Sequence, residues 1–226
     1  MFNTSHYREK YPEDAYIDQK DIGKLYDTKA RIYDAWAYLT ETDARERSLE
    51  LAKISDGQSI LEVAVGTGLA FYEIVKMNPS GVNIGIDLSD GMLEKAKERL
   101  SKLSVGNYSL SVMSAYDLKV ENETIDTLFN NYMFDLIPFA DFKSVLDEFY
   151  RVLKPNAKLV LVNMTRPEKS FSGIYEQIYR LSPRTMGGCR GVQMSKVLSE
   201  NGFKVETREY HQQFLFPSEV IVARKL

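Results

Sequence analysis

The sequence predicts an α/β fold: a doubly wound, mostly parallel seven-stranded sheet with helices on both faces, a C-terminal antiparallel hairpin and an N-terminal helical cap. Three observations lead there. Between residues 59 and 164, short apolar β-branched runs alternate with stretches of 3.6-residue periodicity, the pattern of strands wound into a parallel sheet by helices. The last two apolar runs, 203–210 and 219–225, have no helix between them and so must turn back on each other. Residues 1–40 carry Tyr7, Tyr11, Tyr16, Tyr26, Tyr33, Tyr38 and Trp36 but one glycine, Gly23, which reads as a helical segment covering something and not as a linker.

The elements follow in order. Residues 42–53 form a charged helix with Leu49, Ala52 and Ile54 as its apolar side. Residues 59–65 (SILEVAV) are a buried strand, stopped by Gly66-Thr67-Gly68. A helix runs on to about Met77 and is broken by Asn78-Pro79-Ser80-Gly81. Residues 83–88 are the second strand. Ser89 or Asp90 caps the next helix, whose Leu93, Ala96, Leu100 and Leu103 share a face. Residues 108–113 and 126–132 are the third and fourth strands. Residues 141–154 are the clearest helix, with Phe142, Val145, Leu146, Phe149, Val152 and Leu153 in period and Pro155 as its stop. Residues 158–164 are a central strand. One domain accommodates all of this: residues 1–55 as the cap, 56–226 as the α/β body, and about 166–193 as an insertion on the side where such sheets bind ligands.

Composition narrows the function. The 226 residues are 44% apolar and carry 29 Lys and Arg against 32 Asp and Glu, a net charge of −3, so no electrostatic footprint for nucleic acid is expected. The single cysteine, Cys189, removes a disulfide framework and a multi-cysteine zinc site, and no metal is expected. No stretch approaches the roughly 18 apolar residues of a membrane span, and the mixed-charge N-terminus lacks a secretory h-region, so a cytoplasmic protein is expected.

The chemistry concentrates after the first strand. In Glu62-Val63-Ala64-Val65-Gly66-Thr67-Gly68 the small residues at 64, 66 and 68 let the backbone turn sharply and approach a ligand, and the next helix offers unpaired N–H groups. Asp87, at the end of the second strand, can accept hydrogen bonds from two ribose hydroxyls. The plain alternative is a strand–helix turn with Asp87 as a helix cap. Taken together in one βαβ unit, the two features favour a nucleoside-type ligand. A dinucleotide fingerprint wants a third small residue, but Phe71 or Leu69 stands there, depending on the frame.

Glu62–Gly68 (EVAVGTG) is similar to motif I of class I S-adenosylmethionine-dependent methyltransferases, written [DE]-x-G-x-G-x-G. IDLSDGMLEKAKER around Asp87 resembles that family's second motif, Ser114-Ala115-Tyr116-Asp117-Leu118 its G-D-A-x-x-L-P segment, and Glu148-Phe149-Tyr150-Arg151-Val152-Leu153-Lys154-Pro155 the approach to its fifth strand. Tyr26-Asp27 and Tyr33-Asp34-Ala35-Trp36 resemble the cap of the type 11 branch, which holds ubiquinone/menaquinone C-methyltransferases and phosphatidylethanolamine N-methyltransferases. The resemblance implies a Rossmann-like fold and a cytoplasmic enzyme moving a methyl group from S-adenosylmethionine to a small molecule, either a lipid-like or small amine or a quinol or phenol. Four positions depart from the pattern: Ala64 for the first glycine, Ser114 for an acid, Asn156-Ala157 for Gly-Gly, and Asn163 where the quinone enzymes carry glutamate. A nucleoside-binding module without turnover and an NAD-dependent oxidoreductase are the rivals.

The same resemblance implies the roles. Ala64, Gly66, Thr67 and Gly68 line the methionine end of the cofactor, Glu62 anchors its ammonium, and Asp87 holds the ribose. Leu88 and Met92 pack on adenine or simply belong to the core. Ser114 and Ala115 meet the adenine edge, Asn130 meets the cofactor through its carbonyl, and Tyr26 reaches over from the cap. Tyr33 and Asn131 stand beside the substrate, with Tyr175, Tyr179, Arg184 and Arg190 of the insertion. The arginines are suited to gripping an anion and equally to a solvated surface. For a catalytic base the candidates are His211, Tyr33 and Asn131; His6 lies in the terminal stretch, and Cys189 reads as a packed small residue.

Overall fold

The computed structural model describes residues 34, 37–104, 107–166, 168, 190–214 and 216–226. Seven strands form one sheet: β1 Ser59–Val63, β2 Val82–Asp87, β3 Tyr108–Val112, β4 Ile125–Asn131, β5 Leu153–Met164, β6 Phe203–Gln213 and β7 Phe216–Lys225. Their order is β3-β2-β1-β4-β5-β7-β6. The first five run parallel, and β7 pairs antiparallel with both β5 and β6. Strand order reverses between β1 and β4, which puts a crevice outside their carboxyl ends. Among the described residues, five helices cover the sheet: α1 Thr42–Ala52, α2 Leu69–Met77, α3 Asp90–Leu100, α4 Phe142–Val152 and α5 Ser195–Glu200.

The two faces of the sheet are packed differently. On one, Leu61, Val63, Leu128, Leu159 and Leu161 meet the apolar stripe of α4, Phe142, Val145, Leu146, Phe149 and Val152. Phe134 packs edge-on against Phe142 with ring centres 5.1 Å apart, an arrangement that adds about 1 kcal/mol to the area buried. On the other, Ile60, Phe129, Val160 and Val222 meet Leu49 and Ala52 of α1 and Ile74 of α2. Strand alternation then decides the direction of the polar residues further along: Glu62 and Asn131 face α1 and α2, whereas Asn130 and Asn163 face α4. Helix α1 is also tied to the edge strand. Arg47 grips Glu209 two-pronged at 2.7 and 2.8 Å, and the Gln213 side chain accepts from the Asp43 N–H at 3.0 Å and donates to the Tyr38 carbonyl at 2.9 Å.

Among the boundaries that depart from the sequence reading, two have a clear local reason. Helix α4 stops at Val152, two residues before the expected end. Lys154 precedes Pro155 and is driven out of the helical region, and Leu153 is already extended and paired with Ile125. The terminal hairpin is longer than expected. Phe216 and Pro217, read as part of its connection, pair with Gln213 and Gln212, leaving a two-residue turn in which Phe214 takes a left-handed φ of 53°. Asn156, in place of a glycine, also sits at positive φ, 62°, a conformation that asparagine tolerates better than most residues.

Asn78, read from the sequence as a helix breaker, knits the opposite end of the sheet. It is fully buried; its Oδ1 accepts from the Gly57 and Gln58 N–H groups at 2.8 and 3.0 Å, and its Nδ2 donates to the Gln58 carbonyl and to Asn83 Oδ1, both at 2.9 Å. Asn78→Ala strands these partners where water is scarce, and the expected cost is about 2 kcal/mol of stability. A denaturant midpoint equal to the parent's would show that the network carries no weight. Among the described residues no helix is long and apolar enough to cross a membrane.

Candidate functional site

Where β1 ends, the chain makes a tight left-handed turn, with φ of 63° at Ala64, 54° at Gly66 and 78° at Gly68. Ala64 therefore occupies a backbone state in which its own methyl group costs about 1 kcal/mol. Three hydrogen bonds fix the turn: Val65 N–H to the Ile86 carbonyl at 3.0 Å, Gly68 N–H to the Val65 carbonyl at 2.9 Å, and Gly66 N–H to Asp87 Oδ2 at 2.8 Å. Asp87 Oδ1 accepts from the Ser89 N–H at 2.9 Å, and Ser89, not Asp87, caps α3 by accepting from the Met92 N–H at 3.1 Å. A half-exposed carboxylate is thus oriented beside the turn by two backbone donors.

Beside the turn lies a recess lined by Arg45, Glu62, Ala64, Gly66, Thr67 and Asn131, with Glu41 also in its wall. Glu62 is 1% exposed. Its Oε1 accepts from Asn131 Nδ2 at 2.9 Å, and its Oε2 is buried with no hydrogen-bond partner. Burial pushes the Glu62 pKa up to about 8 despite the Asn131 hydrogen bond and the positive charge of Arg45. A buried carboxyl group with one oxygen unmatched is a receptor for a cation, since a ligand ammonium removes a desolvation penalty that the protein otherwise carries. The turn is also pinned from the cap side. Thr67 Oγ1 donates to Asp34 Oδ1 at 2.5 Å, Arg99 Nη2 donates to Asp34 Oδ2 at 2.6 Å, and Arg99 Nε donates to the Thr67 carbonyl at 2.9 Å.

The structure brings Glu62, Ala64, Gly66, Thr67, Gly68 and Asp87 together at one corner, at the carboxyl ends of β1 and β2. Leu88 is 40% exposed next to Asp87, while Met92 is buried on α3. Ser114 closes its own turn, accepting from the Tyr116 N–H on its hydroxyl at 3.2 Å, and Ala115 beside it is buried. Asn130 is fully buried and donates to the Val63 carbonyl at 2.9 Å, with its side-chain Oδ1 unmatched. Asn163, at the end of β5, has both amide atoms buried without a hydrogen-bond partner.

Three expectations change. The Asn131 side chain donates to Glu62 and so orients the acid, in place of the substrate-facing or basic role expected of it. Arg190 is 4% exposed: its guanidinium donates to the Asp135 and Ile137 carbonyls at 3.2 and 2.5 Å and lies 4.3 Å from the centre of the Phe139 ring. It braces the connection between β4 and α4 from inside and is not a surface fork for an anion. His211 sits on edge strand β6, three strands from β4, with its Nε2 3.3 Å from Glu209, and is not part of this corner. Tyr26, Tyr33, Tyr175, Tyr179, Arg184, Cys189 and His6 lie outside the described residues. Sequence reasoning missed Arg45 and Glu41. The available signal was their placement four residues apart in line with the apolar side of α1, where a charge must have a reason.

A family model described as "Methyltransferase domain" matches residues 60–156, the segment that runs from β1 into β5. The chain is 30% identical over 152 residues to the ubiquinone/menaquinone biosynthesis C-methyltransferase of Geotalea daltonii, covering 65% of this chain and 64% of that protein. The matched part thus spans just under two thirds of that relative's length. It is 26% identical over 189 residues to the demethylmenaquinone methyltransferase of Lactococcus lactis, covering 81% of this chain and 73% of that one. Among solved structures, a SAM dependent methyltransferase from Aquifex aeolicus superposes with a TM-score of 0.62 at 22% identity, over 93% of this chain and all of that one, a likeness of fold.

Proposed function

We propose that the chain is a class I S-adenosylmethionine-dependent methyltransferase, in the branch of the ubiquinone/menaquinone C-methyltransferases that the family match and the two bacterial relatives support, and that it methylates a small molecule of the quinol or phenol type. The observation that carries the reading is the unmatched, buried Glu62 carboxyl group beside a glycine turn, which fits the ammonium end of S-adenosylmethionine. When bound, that cofactor supplies a methyl group on a sulfonium, already activated for displacement. Glu62 would hold the ammonium, with its carboxyl plane set by Asn131. Asp87 would accept from the ribose hydroxyls, its carboxylate oriented by the Gly66 and Ser89 N–H groups. The turn at Ala64–Gly68 would keep the backbone close to the cofactor, and the bonds from Thr67 and Arg99 to Asp34 would hold that turn against the cap. Tyr26 on the cofactor side, and Tyr33, Tyr175, Tyr179 and Arg184 on the acceptor side, are assigned by resemblance. The printed names of the two bacterial relatives support a quinone-derived ring over an amine as acceptor.

The test is release of S-adenosylhomocysteine from purified protein given S-adenosylmethionine and, in turn, a demethylated quinol, a simple phenol and a small amine. Turnover with the quinol or phenol is expected. Turnover confined to the amine overturns the acceptor class. Cofactor binding without turnover on any acceptor turns the enzyme into a binding module, and binding of NAD in place of S-adenosylmethionine overturns the family chemistry. Asp87→Ala is expected to weaken S-adenosylhomocysteine binding by roughly 10–100-fold, the range for hydrogen bonds to a charged group. Unchanged affinity by calorimetry would remove Asp87 from the ribose.

A further inference from the structure

Strand β5 ends in a polar row on its α4 side. Alternation puts Leu161, Asn163 and Thr165 on that face, and the pairing runs past the strand end, since the Thr165 N–H donates to the Pro217 carbonyl at 2.8 Å. Asn163 and Thr165 are both fully buried. Neither amide atom of Asn163 has a hydrogen-bond partner, and the Thr165 hydroxyl has none either. The polar side chain opposite Asn163 on β7, Glu219, is engaged elsewhere: it accepts from the Met194 N–H at 2.8 Å and from Arg208 Nε at 2.7 Å. The pair is close to the candidate site. Val162, which precedes Asn163, is the register partner of Asn131, and Asn131 holds Glu62. The chain at Gly191 and Val192 lies against the same strand end. The Val192 N–H donates to the Met164 carbonyl at 2.9 Å, and a Cβ added at Gly191 would lie 2.8 Å from the Thr165 carbonyl oxygen. Two neighbouring polar side chains thus bear the desolvation penalty of burial without a contact that offsets it.

We infer that Asn163 and Thr165 determine acceptor specificity by reading a ring hydroxyl group, giving and taking hydrogen bonds at the same oxygen. The inference rests on the quinol-or-phenol reading above and names the side chains that select for it. Asn163 offers two N–H donors and a carbonyl acceptor, and Thr165 a hydroxyl that does either. An ammonium only donates and leaves Asn163 Nδ2 unmatched. A carboxylate only accepts and leaves Asn163 Oδ1 unmatched. A hydroxyl accepts from the one and donates to the other. Neither side chain ionises near neutral pH, so the pair recognises the acceptor without taking a proton from it and without supplying charge to it.

Anaerobic calorimetry on the full chain, loaded with S-adenosylhomocysteine, tests this with 1,4-dihydroxynaphthalene and its dimethyl ether, which keeps the ring and the oxygens but cannot donate. The parent should prefer the quinol by roughly 10–100-fold. Asn163→Leu should bind the two alike, at the affinity that the parent shows for the ether, and should keep the parent's affinity for S-adenosylhomocysteine. It should also melt no lower than the parent, because no hydrogen bond of the fold is lost. Thr165→Val, which removes the second hydroxyl at nearly constant shape, should retain part of the preference. An Asn163→Leu protein that keeps the full preference overturns the inference. So does one that melts lower and loses all three ligands together, since Asn163 would then support structure and not read the acceptor. A parent that binds quinol and ether equally leaves the acceptor class standing and removes the hydroxyl reading alone. A parent that binds S-adenosylhomocysteine but neither ring, and methylates only a small amine, removes the acceptor class and the inference with it.

Discussion

Glu62→Gln is expected to lose S-adenosylhomocysteine binding by roughly 100-fold or more while making the ligand-free protein more stable at alkaline pH. The substitution is nearly isosteric, and its amide oxygen can still accept from Asn131, so the recess keeps its shape. What disappears is the charge that an ammonium needs. The pH dependence has a definite sign. Burial holds the Glu62 pKa near 8, above the ordinary carboxyl value of 4.5 at which it ionises in the unfolded chain. Between those values the native state keeps a proton that the unfolded state has lost. The contribution to stability is therefore complete below pH 4.5, falls as the pH rises through the window, and is gone above pH 8. Glutamine does not titrate and removes that slope. Relative to the parent, the variant should gain about 1–3 kcal/mol at pH 9 and little at pH 4, the gain being reduced by its own buried amide. Binding to the parent at pH 7 should also release a proton, because a ligand cation favours the ionised acid. Calorimetry in two buffers of different ionisation enthalpy reads that release directly. A variant that binds as tightly as the parent, or whose stability follows the parent's pH profile, would show that Glu62 is not the cation receptor.

The strands and the turn were legible in the sequence because their causes are local. A run such as SILEVAV ending in Gly-Thr-Gly has few other solutions, and Asp87 at the close of the next strand is fixed by the same βαβ geometry. The course of the terminal hairpin followed from the absence of a helix between its strands, although its length did not, because pairing of Phe216 with Gln213 depends on the twist of the finished sheet. The misreadings at Asn131 and Arg190, and the unforeseen network of Asn78, share one character: each concerns a polar residue whose partner is distant along the chain. Asn131 finds Glu62 across 69 positions, Asn78 finds Gly57 across 21, and Arg190 finds the carbonyls of Asp135 and Ile137 across 55 and 53. Residue type says that such groups need partners, but the topology chooses them. Arg190 shows the difference most plainly. An arginine next to a glycine in a long connection reads as a ligand grip, yet the chain uses its two Nη groups and flat face to brace carbonyls and aromatic rings inside the fold.

Gly68→Ala is the second large effect, and it separates the two things that this glycine does. The residue sits at φ 78°, where an added methyl group costs about 1–2 kcal/mol in backbone strain alone. That methyl group would also lie 3.0 Å from Ala96 Cβ and 3.1 Å from Ala96 Cα, so α3 must retreat from the turn, which adds about 1–3 kcal/mol. Displacing α3 then reaches the site by two routes. Arg99 on that helix donates to the Thr67 carbonyl, and Ser89 at its N-terminus donates to Asp87. The expected result is a loss of about 3 kcal/mol in stability together with weaker cofactor binding. Ala96→Gly in the same chain removes the closer of the two contacts but leaves the strained φ and the contact with the Ala96 backbone. The double variant should therefore recover part of the stability and part of the binding, with a favourable coupling of about 1 kcal/mol in the double-mutant cycle after the helix cost of glycine is counted in the single variant. Strictly additive effects would mean that α3 does not press on the turn. Full recovery would mean that the left-handed conformation at residue 68 carries no strain, and that steric contact with α3 is the whole reason for a glycine there.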